Sequence, residues 1–205
     1  MMIELKYLKV PDGIQNLLAI TNEIKFSMVS EPLVGSLLRT LATSKPSGQF
    51  LELGTGTGVS TAWILSGMDL QSSLLTIDND QAVVAIAKAH LKGDSRVTFK
   101  VSDAGDCINQ LNQDGKQFDL IFADTWAGKY THFEQTMQLL KPGGFYVIDD
   151  MLPQPNWLEG HELKVAALIG ELAQRRELSV TKMHWASGVV VATKHYGSSS
   201  AELRN

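Results

Sequence analysis

The stretch FLELGTGTGV, residues 50–59, decides how this chain folds. An apolar run of strand character carries an acid, Glu52, and is followed by Gly54, Gly56 and Gly58 at alternate positions, with Thr55 between the first two. Glycines at a tight strand-to-helix turn accept positive φ and let backbone come close to a ligand. Turns of this kind suggest a dinucleotide first, whose fingerprint runs G-x-G-x-x-G. The spacing here is G-x-G-x-G, and Val59 stands where the third glycine of that fingerprint would be. Glu52 lies two residues before the first glycine, a poor place for a negative charge if the loop cradles a pyrophosphate. It suits a ligand with a cationic amine and a sulfonium.

Downstream the pattern alternates. Short apolar runs at 50–53, 74–77, 97–101, 118–123 and 144–148 each lead to an acid or a glycine turn and then to a helix-like stretch, such as AVVAIAKAHL at 82–91 and YTHFEQTMQLL at 130–140. Alternation of this type predicts an α/β fold with a doubly wound, mostly parallel sheet whose ligands bind at the carboxyl ends of the strands. Asp78, Asp103, Asp124 and Asp149 each fall at or just past a predicted strand end, and Asp150 follows directly. Each alone reads as a helix cap. Together they gather on one edge, where like charges repel unless a cation or hydrogen-bond donors occupy the space.

Before this core, residues 1–48 read as a helical lead-in. Its second helix is predicted to start at Ser30 as N-cap, followed by Glu31 and Pro32, with an apolar stripe of Leu33, Val34, Leu37, Leu38 and Leu41. After the core strands, a helix at 161–175 leads to LSVTKMHW at 178–185, the turn ASG, and VVVATK at 189–194. That reads as a hairpin adding an antiparallel strand to a seven-stranded sheet, with its turn on the acidic edge and Trp185 near the mouth of any pocket. The core is bounded at 49–196, and 197–205 reads as a flexible tail.

The composition bounds the rest. A chain of 205 residues with 44% hydrophobic and 20% charged residues suits one globular core. The net charge of −4 gives no bias toward nucleic acid. The start shows no signal peptide, and no window approaches the roughly 20 apolar residues of a membrane helix. The single cysteine, Cys107, has helical apolar neighbours and reads as a core thiol in a cytoplasmic protein. The lead-in helices could form a dimer face or a pocket cover, so a homodimer is one expectation.

LELGTGTG followed by LLTIDND, VSDA, FDLIFAD and LLKPGGFYVIDD resembles the class I S-adenosylmethionine-dependent methyltransferases over about residues 28–194, in the same order. Within that group FADTWAGKY and FYVIDDMLPQPNW are similar to the small O-methyltransferases of the catechol and caffeoyl-coenzyme A type. The resemblance implies a Rossmann-like methyltransferase fold and S-adenosyl-L-methionine as cofactor. Gly54, Thr55, Gly56 and Gly58 would lie against its methionine moiety with Glu52 beside them. Ser60, otherwise a helix cap, would hold the carboxylate. Asp78, with Asn79 next to it, would bind the ribose hydroxyls, and Asp103 with Ala104 would flank the adenine. Trp126 would cover the adenine or the substrate rim, and Asp124 would border the same pocket.

The metal-dependent relatives further imply a divalent cation, magnesium the first choice, on Asp124, Asp149 and Asp150. Asp150 replaces the asparagine of the family pattern, which adds negative charge. The family's catalytic lysine position is Ala127 here, and Lys129 is the nearest replacement; otherwise Lys129 reads as an exposed loop lysine. Lys129 and Asp124 are then the catalytic candidates, and Trp157 and His161 the candidates for a lid. The expected function is O-methylation of a hydroxyl on a small-molecule acceptor with metal assistance. Ala127 keeps open a metal-free transfer to an amine or carboxylate. A nicotinamide-dependent oxidoreductase and a non-catalytic ligand-binding protein are the readings from other classes.

Overall fold

Strand β1 (Gln49–Leu53) buries both faces, Phe50 and Glu52 on one side and Leu51 and Leu53 on the other, in a computed structural model that describes residues 8–154 and 157–197. A strand covered on both sides reads as a continuous apolar run, which is why period-2 alternation is absent from its sequence. Beside it lie β2 (Ser73–Asp78), β3 (Val97–Val101), β4 (Phe118–Ala123), β5 (Leu140–Ile148), β6 (Leu178–Met183) and β7 (Val189–Lys194). The seven strands form one sheet in the order β3-β2-β1-β4-β5-β7-β6. Strands β1 to β5 pair in parallel, and β7 inserts antiparallel to both β5 and β6.

Helices cover both faces. On one, α2 (Pro32–Thr43) and α3 (Val59–Gly67) set Val34, Leu38, Ile64 and Leu65 against Phe50, Leu74, Leu120 and Phe122. On the other, α5 (Ala104–Gln113), α6 (Phe133–Leu139) and α7 (His161–Gln174) set Cys107, Ile108, Met137 and Leu168 against Leu51, Ile77, Ile121 and Ile148. Helix α4 (Gln81–Leu91) packs beside β3, started by Asp80, whose side chain accepts from the N–H groups of Ala82 and Val83. Helix α1 (Ile14–Glu23) docks Ile14 and Leu17 on Val59, Ala62 and Trp63 of α3. Cys107 is a buried free thiol, as expected. No helix among the described residues is long and apolar enough to cross a membrane.

Several boundaries differ from expectation. Helix α2 is capped by the extended backbone of Glu31 without a side-chain bond, and Ser30 instead turns its hydroxyl toward Asp124 Oδ2, 3.4 Å away. Helix α6 starts at Phe133, so residues 130–132 belong to the preceding loop. Strand β5 begins at Leu140, not at residue 144, because Leu140 pairs with Phe118 ahead of an irregularity in the register. Strand β6 ends at Met183, which lengthens the hairpin turn to residues 184–188. The expected tail, apart from Gly197, lies outside the described residues, as do residues 1–7 of the start and Pro155 and Asn156 of the proline-rich loop.

Candidate active site

The sheet order reverses between β1 and β4, and the loops after these strands part there. A crevice outside the carboxyl ends at such a switch point is where open α/β sheets bind ligands. A cleft of about 600 Å³ occupies it. That volume is in the range of a drug-sized ligand site.

The glycine loop forms its floor. Gly54 has φ +104°, and a Cβ there would lie 2.8 Å from the main-chain oxygen of Asp124, so only glycine lets the β1 and β4 loops close on each other. Gly58, with φ +91°, caps α3, and a Cβ would come within 2.8 Å of Ala87 Cβ. The Gly56 N–H donates to Asp78 Oδ2 at 2.8 Å, and the Asp80 N–H donates to Asp78 Oδ1 at 3.0 Å. Thr55 and Thr76 share a hydroxyl hydrogen bond of 2.6 Å that locks the loop to β2. Gly54, Thr55, Gly56, Ser60, Asp78, Asn79, Asp103, Ala104, Asp124 and Trp126 all line the cleft. Of the residues expected to hold the cofactor, Gly58 and Glu52 do not line it.

Glu52 lies in β1, before the loop, fully buried. Its Oε2 accepts from the hydroxyls of Thr61 at 2.5 Å and Thr76 at 2.7 Å, while Oε1 has no hydrogen-bond partner. Burial pushes its carboxyl up to about 7, with the hydroxyls of Ser60, Thr61 and Thr76 pulling the other way. Glu52, expected beside the cofactor, thus holds its carboxyl beneath the loop and not on the cleft surface. Asp103 divides its functions, lining the cleft while its side chain accepts from the Asp106 N–H at the start of α5.

The acids after β4 and β5 are arranged around a lysine. Lys129 is buried, at 5% exposure, and is not the exposed loop lysine of the simpler reading. Its Nζ lies 3.5 Å from Asp124 Oδ1 and donates to the Asp149 carbonyl oxygen at 2.9 Å. The loop that aims it is fixed from several sides. The Trp126 carbonyl accepts from the N–H groups of Lys129, Tyr130 and Thr131, and the Tyr146 hydroxyl donates to the Gly128 carbonyl. Burial drives the Asp124 carboxyl well above its ordinary range, as do Asp149 and Asp150 nearby, against the opposing pull of Lys129.

Asp149 is 1% exposed. Its Oδ1 accepts from the Ser187 hydroxyl and, at 2.8 Å, from the Asp150 N–H. Burial raises this carboxyl to about 6. Asp150, with φ +58°, lines the cleft. Among the described residues no group of three or more His, Cys, Asp or Glu side chains is placed to hold a metal ion. The three acids of the expected cation site, Asp124, Asp149 and Asp150, are not gathered into such a group. One of these carboxylates is committed to Ser187 and the chain, and another faces an ammonium.

An aromatic wall closes the side toward α7. Trp157 stacks on His161 with ring centres 4.3 Å apart, and Tyr130 and Trp126 meet His161 edge-on. The Tyr130 hydroxyl and His161 Nε2 are 2.9 Å apart. Burial raises the phenol to about 12, and burial together with Lys129 lowers the imidazole. Trp157 and His161 thus stand at the cleft as expected. Trp185 does not line it, and Ser187 is the turn residue that reaches the strand-end acids. Tyr130 and Phe26 were not expected. Phe26 lines the cleft from the segment between α1 and α2, against Gly56. Only the place of Tyr130 on the loop after Asp124 hinted at it.

This sheet, with its glycine loop and strand-end acids around one cleft, has the architecture of the class I S-adenosylmethionine-dependent methyltransferases. Residues 11–192 match the O-methyltransferase family, and the chain belongs to it. The catechol O-methyltransferase of Niastella koreensis is 32% identical over 126 residues, covering 59% of this chain and 57% of that protein. The chain spans little more than half the length of the curated relatives it matches. The O-methyltransferase TomG of Streptomyces achromogenes, involved in tomaymycin synthesis and solved with S-adenosylmethionine, superposes with a TM-score of 0.80 at 21% identity, covering 93% of this chain and 92% of that one. The O-methyltransferase of Bacillus cereus, solved with S-adenosylhomocysteine, gives 0.80 at 19% identity over 92% and 93% of the two chains. At these identities the likeness is one of fold.

Proposed function

We propose that this chain is an S-adenosylmethionine-dependent O-methyltransferase acting on a hydroxyl of a small, planar acceptor. The observation that carries the reading is the cleft itself. Its floor is a glycine loop tied to Asp78, and its far wall is the aromatic group Trp126, Tyr130, Trp157 and His161. The floor fits a sulfonium nucleoside. Backbone at Gly54 and Gly56 leaves room for its methionine end, Asp78 offers acceptor oxygens for adjacent ribose hydroxyls, and Asp103 offers one for an exocyclic amine. The aromatic wall supports a flat acceptor, as the catechol name of one relative also does.

When bound, S-adenosylmethionine supplies a methyl carbon that the acceptor oxygen's lone pair takes in line, the carbon–sulfur pair returning to sulfur. The protein's part is alignment and electrostatics. Trp126 and Tyr130 orient the acceptor ring, and Asp124 holds Lys129 so that its ammonium meets negative charge developing on the acceptor oxygen. Asp150, the one of the three acids that lines the cleft without a lysine partner, receives the hydroxyl proton. No step passes through a divalent metal, because the donor set described above does not fit one. A single buried thiol fits a reducing, cytoplasmic setting.

The test is transfer of labelled methyl from S-adenosylmethionine to a panel of catechols, simple phenols, aliphatic alcohols and amines. Turnover on a phenolic hydroxyl supports the reading. Transfer to amines alone, or thermal stabilisation by NAD without any by S-adenosylhomocysteine, would overturn it.

A further inference from the structure

Three acids converge after β4 and β5, and the charge set among them is an ammonium. Lys129 Nζ is 3.5 Å from Asp124 Oδ1, donates to the Asp149 carbonyl at 2.9 Å, and still reaches the cleft. Asp149 turns its Oδ1 to Ser187 and to the Asp150 N–H. We propose that the Lys129 ammonium takes the place of a divalent cation among these acids, so that the acceptor oxygen is met by a cation the chain itself carries. This rests on the reading above and concerns how the same site works.

Geometry makes the lysine a fixture. Its loop cannot swing freely, because the Trp126 carbonyl gathers three N–H donors and Ala127 bridges Thr131. Gly128 lies against Leu53 so closely that a Cβ would be 2.6 Å from its Cδ1. A long side chain leaving this loop at 5% exposure has its route set by packing. A dication arriving between Asp124 and Asp150 would face the Lys129 ammonium, which already lies 3.5 Å from Asp124 Oδ1. Repulsion between like charges at such separations in a partly dry site disfavours the metal. The exchange has a chemical consequence. A protonated lysine can stabilise an oxyanion through N–H donation but cannot serve as its base, which leaves the acceptor proton to Asp150.

The experiment titrates Mn²⁺ into the full chain, with and without S-adenosylhomocysteine, and follows free ion by electron paramagnetic resonance. Wild type is expected to show no stoichiometric site up to about 1 mM, the weak end of protein oxygen sites. Lys129→Ala and Lys129→Met, the second retaining the packed stem, are expected to gain a site at least about tenfold tighter, which Asp124→Asn then removes. Methyl transfer by wild type is expected to be unchanged by chelator. A stoichiometric Mn²⁺ site in wild type that Asp124→Asn abolishes would overturn the proposal, as would folded Lys129 variants that bind no better than wild type. Should both variants fail to fold, the comparison of wild type with Asp124→Asn still decides. Calorimetry with S-adenosylhomocysteine on the same samples separates the two levels: binding alongside a wild-type Mn²⁺ site sinks the lysine proposal alone, while absence of binding sinks the methyltransferase reading.

Discussion

The main-chain N–H of Gly56 donates to Oδ2 of Asp78 at 2.8 Å, tying the loop after β1 to the acid that ends β2. One carboxylate thus shapes the loop and faces the cleft. Asp78→Ala removes both, and we expect affinity for S-adenosylhomocysteine to fall about tenfold to a hundredfold, the scale of losing hydrogen bonds to a charged group. Asp78→Asn keeps one acceptor and should lose less. Calorimetry on the two variants checks the order, and unchanged affinity in Asp78→Ala would remove Asp78 from the binding set.

Gly58 tests the loop's mechanical side. A methyl group there meets Ala87 Cβ at 2.8 Å on a backbone with φ +91°. Strain of that type costs roughly 1–3 kcal/mol. Gly58→Ala should lower the urea midpoint by a corresponding amount. A variant as stable as wild type would show that the α3–α4 contact is looser than described.

Glu52 gives a pH dependence whose sign is fixed. Its folded-state carboxyl is raised from 4.5 to about 7, so the proton is held more tightly in the native chain. The resulting stability is fully present below pH 4.5 and is lost as pH rises through about 7. A shift of this size corresponds to about 3 kcal/mol. Glu52→Gln keeps an acceptor for Thr61 and Thr76 and removes the ionisation. Urea unfolding across pH 5–8 should therefore show the variant gaining on wild type as pH increases. Parallel curves for the two proteins would contradict the buried, raised carboxyl.

The aromatic wall should affect the acceptor and leave the cofactor alone. Trp126 is 45% exposed at the cleft, with its ring 5.4 Å from that of Tyr130. Trp126→Ala is expected to raise the acceptor KM about threefold to tenfold, the range of an aromatic contact. Binding of S-adenosylhomocysteine should stay within about twofold, since a lost ground-state contact with one substrate does not carry to the other. Steady-state kinetics with a phenolic acceptor separates the two. An equal loss for both ligands would place Trp126 over the adenine.

How much of this was legible in the sequence follows from what fixes each part. The strands at 50–53 and 118–123 were readable because central parallel strands buried on both faces force largely apolar runs, and Asp124 was readable because the second run stops abruptly at it. The early start of β5 was hidden, since Leu140 to Gly144 look like a turn and pair only because Phe118 is adjacent. Lys129 reads as a surface lysine in any window of the sequence. Its burial comes from Tyr146, Leu53 and Asp149, residues 17 to 76 positions away that meet the loop only in the folded sheet. Glu52 was seen as a special acid beside the loop, but its side of the strand depends on register, and register places it beneath the loop. Ser187 lay in an undistinguished turn, and only the antiparallel insertion of β7 brings it to Asp149.

The central claim is that a sulfonium nucleoside lies across the glycine loop with its ribose on Asp78. A crystal structure of the chain with S-adenosylhomocysteine tests this most directly. We expect density along Gly54, Thr55 and Gly56, both ribose hydroxyls on the Asp78 carboxylate and adenine beside Asp103 and Ala104. A saturated crystal with the compound bound elsewhere, or with Asp78 contacting only Gly56 and Asp80 as now, would contradict the account.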